Sequence, residues 1–177
     1  MTAPPLCRHP TLLLPRHQAA RLVAQARAAI DVEVGALLVV EPCVVVEPVA
    51  CPLAVRVLDV VPLAHGTTGT ATRLRITPEA LAAVAVDEKQ GRCRGGLAHS
   101  HPFGDTTEPH VLSTDDKSYT TAFFWRPFAF QLVTDPRFTA PEEALAAFCW
   151  IDGALARVCC TLIDEEEISC PLSASLR

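Results

Sequence analysis

The stretch that decides the fold is Gly95-Gly96-Leu97-Ala98-His99-Ser100-His101-Pro102. It reads as a short strand, Gly95 to His99, that ends on two histidines and a proline. A candidate helix lies on each side. Upstream, Thr77-Pro78-Glu79 supplies an N-cap, a first-turn proline and an acid at the positive end of the dipole. The spacing there predicts a helix over about Pro78 to Lys89, with Leu81, Val84 and Ala85 inward. Downstream, a polar loop runs to about Leu112, and a helix is predicted to start near Ser113 and fade before Pro127. A strand held between two helices belongs to an α/β arrangement.

Working outward, the same alternation continues. Thr11 to Leu14 reads as a strand. Pro15 suits a first helical turn, and Leu22, Val23, Ala26 and Ile30 recur at helical spacing, predicting a helix over about Pro15 to Ile30. Val34 to Val40, broken by Glu41-Pro42, then Cys43 to Val46 and Leu53 to Val61, are β-branched runs expected to be strands buried on both faces. His65 to Thr72 reads as a loop, Arg73 to Ile76 and Phe128 to Thr134 as strands. Phe148 to Asp152 and Leu155 to Leu162 read as a hairpin turned at Asp152-Gly153. The expected fold is one mixed β-sheet flanked by helices, in a single domain over residues 1–164, with an acidic and then polar tail over 165–177.

Composition narrows the function classes. Half of the 177 residues are hydrophobic, enough for a real core. The net charge of -5 argues against a nucleic-acid partner, because phosphate binding wants a basic face. No apolar run approaches the roughly 20 residues of a membrane span. Met1 is followed by Thr2, Ala3, Pro4 and Pro5 rather than by a signal sequence, so cytoplasmic location is the default expectation. None of the eight cysteines forms a CxxC pair, and they are expected to be buried free thiols rather than zinc ligands or disulfides.

The chemistry lies in His99-Ser100-His101-Pro102 and Ser113-Thr114-Asp115-Asp116. Histidines at i and i+2 share one face of an extended chain, so both imidazoles can reach one ion. A carboxylate from the start of the next helix completes a three-ligand set. Three such ligands leave a position open, which is a catalytic rather than a closed structural arrangement. Hydrolysis also needs a base near that position and a donor for the developing oxyanion. A bland reading of Ser113-x-x-Asp116 is a capping box at a helix start, and the two readings are compatible.

These motifs resemble the JAMM signature of MPN+ domains: an upstream glutamate, His-Ser/Thr-His-Pro, and Ser-x-x-Asp. The glutamate is matched by Glu33 in Asp31-Val32-Glu33-Val34-Gly35-Ala36-Leu37-Leu38, opening an apolar run after the first helix. Asp31 and Glu41 are its competitors, and Asp115 competes with Asp116. The resemblance spans about Thr11 to Leu162. It implies the MPN (cytidine-deaminase-like) layout. It implies Zn2+ held by His99, His101 and Asp116, Glu33 as general base and proton shuttle, and Ser113 as hydrogen-bond donor to the tetrahedral intermediate. It further implies cleavage after the C-terminal glycine of a ubiquitin-like protein, whose tail docks as an added strand. The expected compact domain is most similar to stand-alone prokaryotic members, which often accompany small ubiquitin-like conjugation systems with E1/E2-like proteins, some of them in antiviral defence.

The sequence departs from the signature in two places. Eleven residues, Pro102 to Leu112, separate His101 from Ser113, longer than in many members. The glycine often found three residues after the glutamate is Ala36. Alternatives are processing of a ubiquitin-fold sulfur carrier, a non-catalytic MPN binding module, and a RadC-like domain. The last is suggested by His101-Pro102-Phe103-Gly104-Asp105, while the acidic charge and the matched Glu33 count against it. His110 and His65 read as solvated loop histidines, His9 and His17 carry no pattern, and Phe123, Phe124 and Trp125 read as packing the third helix.

Overall fold

The structure is a computed structural model, and it describes residues 10–43, 54–63, 67–70, 73–76, 78–79, 82, 94–102, 111–123, 129–151 and 153–164. Its strands are β1 (Thr11–Pro15), β2 (Gly35–Cys43), β3 (Ala54–Pro62), β4 (Thr67–Thr70), β5 (Arg73–Ile76), β6 (Arg94–Ser100), β7 (Phe130–Thr134), β8 (Leu145–Ile151), β9 (Ala154–Val158) and β10 (Cys160–Ile163). Its helices are α1 (Arg16–Ala28), α2 (Thr114–Phe123) and α3 (Pro141–Ala144). Pro78, Glu79 and Ala82 are also helical, and the rest of the helix expected over Pro78 to Lys89 lies outside the described residues.

Eight strands form one mixed sheet in the order β10-β1-β3-β2-β6-β7-β8-β9, and among the described residues β4 and β5 pair as a separate two-stranded sheet. The expected mixed α/β class is therefore present. The edge strands β9 and β10 are separated in sequence by Cys159 alone. Eight strands laid flat span about 34 Å at ~4.8 Å per gap, and the two steps from Val158 to Cys160 reach only ~7 Å. The sheet must therefore curl until its edges nearly meet, and Cys159 carries the closure: its carbonyl accepts the Leu12 N–H at 2.9 Å.

Alternation along the strands sorts residues between two faces. Leu12, Leu14, Leu38, Val55, Val57, Ala98, Phe130, Leu132 and Ala147 form one core cluster with Ala19, Leu22 and Val23 of α1. Gln131 and Val133 alternate with these, and Val133 joins Leu112, Ala146 and Phe148 in a separate cluster before α2. No helix among the described residues is long and apolar enough to cross a membrane.

Several expectations are corrected. Thr67–Thr70, read as loop, is β4, because pairing with Arg73–Ile76 overrides weak local propensity. Glu41-Pro42 does not break β2, which runs on to Cys43. Its pairing with β6 ends at Val40↔Arg94 while pairing with β3 continues, so Pro42 sits where one side of the strand has no partner among the described residues. The second half of β3 is covered on one face only, leaving Leu58 and Val61 each 41% exposed. Ile30 lies beyond α1 and is exposed, and Pro15 ends β1 rather than opening α1. The strand expected over Leu155 to Leu162 breaks at Cys159 into β9 and β10. At the β8–β9 turn, Gly153 has φ 82, and Asp152 lies outside the described residues. Cys149, Cys159 and Cys160 form no disulfide, but only Cys149 is buried as expected: Cys160 is half-buried and Cys159 exposed, at the break between β9 and β10. Burial, followed by the charge of Cys159, pushes the Cys160 thiol up to about 12. Residues 44–46 and the tail over 165–177 lie outside the described residues.

Candidate metal centre

Strand β6 presents the histidines. It is clamped between β2 (Gly35↔His99) and β7 (His99↔Val133), and His99 is buried. The His101 N–H donates to the Thr134 carbonyl at 2.9 Å, which carries the β7 pairing one residue further. Ser100, between the two, faces the other way. Its Oγ accepts the Val34 N–H at 3.0 Å, and its own N–H donates to the Val34 carbonyl at 2.9 Å. That reciprocal pair extends the β2–β6 register beyond the sheet. It brings Glu33 opposite His101, and the period of two puts Glu33 on the histidine face.

Helix α2 presents the carboxylate. Ser113 is its N-cap and Asp116 its third residue. Ser113 Oγ accepts the Asp116 N–H at 3.1 Å, and Asp116 Oδ2 accepts the Ser113 N–H at 2.7 Å, a reciprocal capping box. The Ser113 hydroxyl also lies 2.7 Å from Asp116 Oδ2 and donates to it. Buried Leu112 anchors the chain just before the cap. Gln131 of β7 donates from Nε2 to the Asp116 carbonyl at 3.1 Å.

The donor atoms meet. His99 Nε2 and His101 Nε2 are 3.0 Å apart. Asp116 Oδ1 lies 3.2 Å from His99 Nε2, and Oδ2 lies 3.3 Å from His101 Nε2. A tetrahedral ion with ligand distances of ~2.0–2.1 Å separates its donors by about 3.3 Å, so the group can hold a metal ion. Burial works against the Asp116 charge, but donors from His101, His99 and Ser113 outweigh it and hold the carboxyl well below the usual carboxylate range. Glu33 behaves in the opposite way. Burial raises it above its ordinary 4.5, against the lowering pull of His99 and His101, with Asp116 adding to the rise and a Leu74 backbone hydrogen bond opposing it. Four of the five expected site residues thus share direct contacts, and Glu33 lies within their electrostatic reach.

The competitors fall away on position. Asp31 and Asp115 are exposed. Glu41 lies at the far end of β2 from Gly35. His17 is exposed on α1, and Phe123 ends α2. His9, His65, His110, Phe124, Trp125 and most of the long loop lie outside the described residues. Ser100 and Gln131 were not expected at the site. Ser100 was legible as the centre of His-Ser-His, whereas Gln131 carries no local signal.

No family model matches the chain, and no curated protein matches it. Among solved structures, it is similar to the solution structure of protein DSY2949 from Desulfitobacterium hafniense, at 22% identity and a TM-score of 0.57, over 88% of this chain and 95% of that one. That likeness is one of fold.

Proposed function

We propose that this chain is a zinc-dependent peptidase of the JAMM type, built on the MPN layout. On this reading it cleaves after the C-terminal glycine of a ubiquitin-like protein within a cytoplasmic conjugation system. The observation that carries the reading is the convergence of two Nε2 atoms and one carboxylate within 3.0–3.3 Å, with half-buried Glu33 on the same face. The donor set is two imidazoles and one carboxylate, which suits zinc and leaves a position open.

Zinc, when bound, supplies Lewis acidity and makes water easier to deprotonate. Glu33 then takes the proton of the attacking water and passes it to the leaving amine. Burial suits it to the task, because a carboxyl raised above the ordinary glutamate range holds a proton more strongly once it has taken one. His99 and His101 are held on a paired strand, so they offer their ring nitrogens without a rearrangement. Ser113 is the hydroxyl beside Asp116, and turning it to a substrate oxyanion exchanges one hydrogen bond for another.

The deciding experiment is elemental analysis of the purified protein beside the His99→Ala/His101→Ala double variant, followed by turnover of ubiquitin-like fusion substrates. We expect about one zinc per chain, lost in the double variant. Glu33→Gln is expected to keep the zinc and lose turnover. Absence of zinc after reconstitution, or full turnover in Glu33→Gln, would overturn the proposal.

A further inference from the structure

Gln131 is fully buried in β7, a strand whose other residues are apolar apart from Thr134. Its Nε2 is spent on the Asp116 carbonyl. Its Oε1 has no hydrogen-bond partner among the described residues, and neither does His99 Nδ1, which is also buried. A buried polar atom left unpaired is costly, and two of them at one site call for an explanation. The amide cannot be turned round to remove the problem, because Oε1 would then face the Asp116 carbonyl, acceptor against acceptor.

The two atoms are complementary. His99 directs Nε2 at His101 and Asp116. A ligand held through Nε2 carries its ring proton on Nδ1, which makes Nδ1 a donor. Oε1 is an acceptor. The register Leu97↔Gln131 and His99↔Val133 places Gln131 and His99 on adjacent parallel strands, two residues apart and on one face.

We infer that Gln131 is a positioning residue that spans buried His99 and half-buried Asp116, holding Asp116 by its backbone through Nε2 and accepting the Nδ1–H of His99 on Oε1 once a metal fixes that tautomer. The inference rests on the metal-centre reading. Metal-binding histidines generally donate their second ring nitrogen to such a partner, which sets ring orientation and ligand basicity. A single amide would then couple the strand ligand to the helix ligand, so binding at His99 would steady Asp116.

The test is zinc affinity by chelator competition for the wild type, Gln131→Met and Val133→Ala, with imidazole proton and nitrogen NMR on the zinc-loaded wild type. Val133→Ala truncates a buried neighbour on the same face and controls for loss of packing. Gln131→Met is expected to weaken zinc binding by about 10- to 100-fold, with Val133→Ala close to wild type. In the wild type, the His99 Nδ1–H should exchange slowly and show contacts to the Gln131 side chain. Unchanged affinity in Gln131→Met, or a fast-exchanging Nδ1–H with no contact to Gln131, would overturn the role of Gln131 alone. The NMR arm needs no variant, so it decides the matter if Gln131→Met fails to fold. A wild type that binds no zinc would overturn the metal centre, and this inference with it.

Discussion

At the scale of single residues, the centre depends on two carboxylates pushed in opposite directions. Asp116 is surrounded by donors and stays ionised, whereas Glu33 pays for burial with a raised pKa. In the zinc-free protein this has a consequence for stability. The folded state holds the Glu33 proton more tightly than the unfolded chain, so that contribution is present below the ordinary glutamate range and is lost as pH rises through the raised value. Glu33→Gln should therefore raise the metal-free Tm at pH 7, with the difference vanishing as pH falls below about 4. Thermal melts across that range check it. The cap that Ser113 forms and the oxyanion role proposed for it are separable. Ser113→Ala removes the cap and should cost about 1 kcal/mol in denaturant unfolding. If Ser113 also serves an oxyanion, kcat should fall by more than this loss of cap explains, on the order of 100-fold. The Ser-x-x-Asp spacing of the resemblance favours Asp116 over Asp115, and a place at the opening of the apolar run favours Glu33 over Asp31 and Glu41. Burial separates them further: Glu33 and Asp116 are half-buried, whereas Asp31 and Asp115 are exposed.

At the scale of elements, β6 is the strand on which the site depends. Gly96 is there because a Cβ would sit 2.7 Å from the Phe130 carbonyl oxygen of β7 and 3.3 Å from the Leu38 Cβ of β2. A backbone atom cannot yield as a side-chain tip can. Gly96→Ala should force β6 and β7 apart and cost about 1–3 kcal/mol in chemical denaturation. Zinc affinity should fall with it, since the same pairing seats His99 and His101. The helix and strand periods were readable locally for β1, α1 and β7. The β4–β5 pair, the run of β2 through Pro42 and the break at Cys159 were not. Each depends on which partner strand is present, and that information lies far away in the chain.

At the scale of the whole molecule, the sheet brings together residues 33, 99, 101, 113 and 116 from three separate segments, so metal binding and folding are coupled. On the proposed reading, zinc would bind the native state and scarcely bind the unfolded chain. At about 1,000 times its Kd it should stabilise the protein by about 4 kcal/mol, raising Tm by roughly 8–16 °C for a chain of this size. Calorimetry with and without a chelator checks it, and His99→Ala/His101→Ala should abolish the difference. The sequence by itself determined the class of fold, the donor types and their spacing, because these follow from local period and side-chain chemistry. Only the tertiary structure decided that β2 and β7 flank β6, that the sheet curls until β9 and β10 nearly meet, and that Gln131 touches the helix that carries Asp116. Those outcomes arise from pairing between distant segments, where backbone hydrogen bonding and close packing select among arrangements that local sequence leaves equally open.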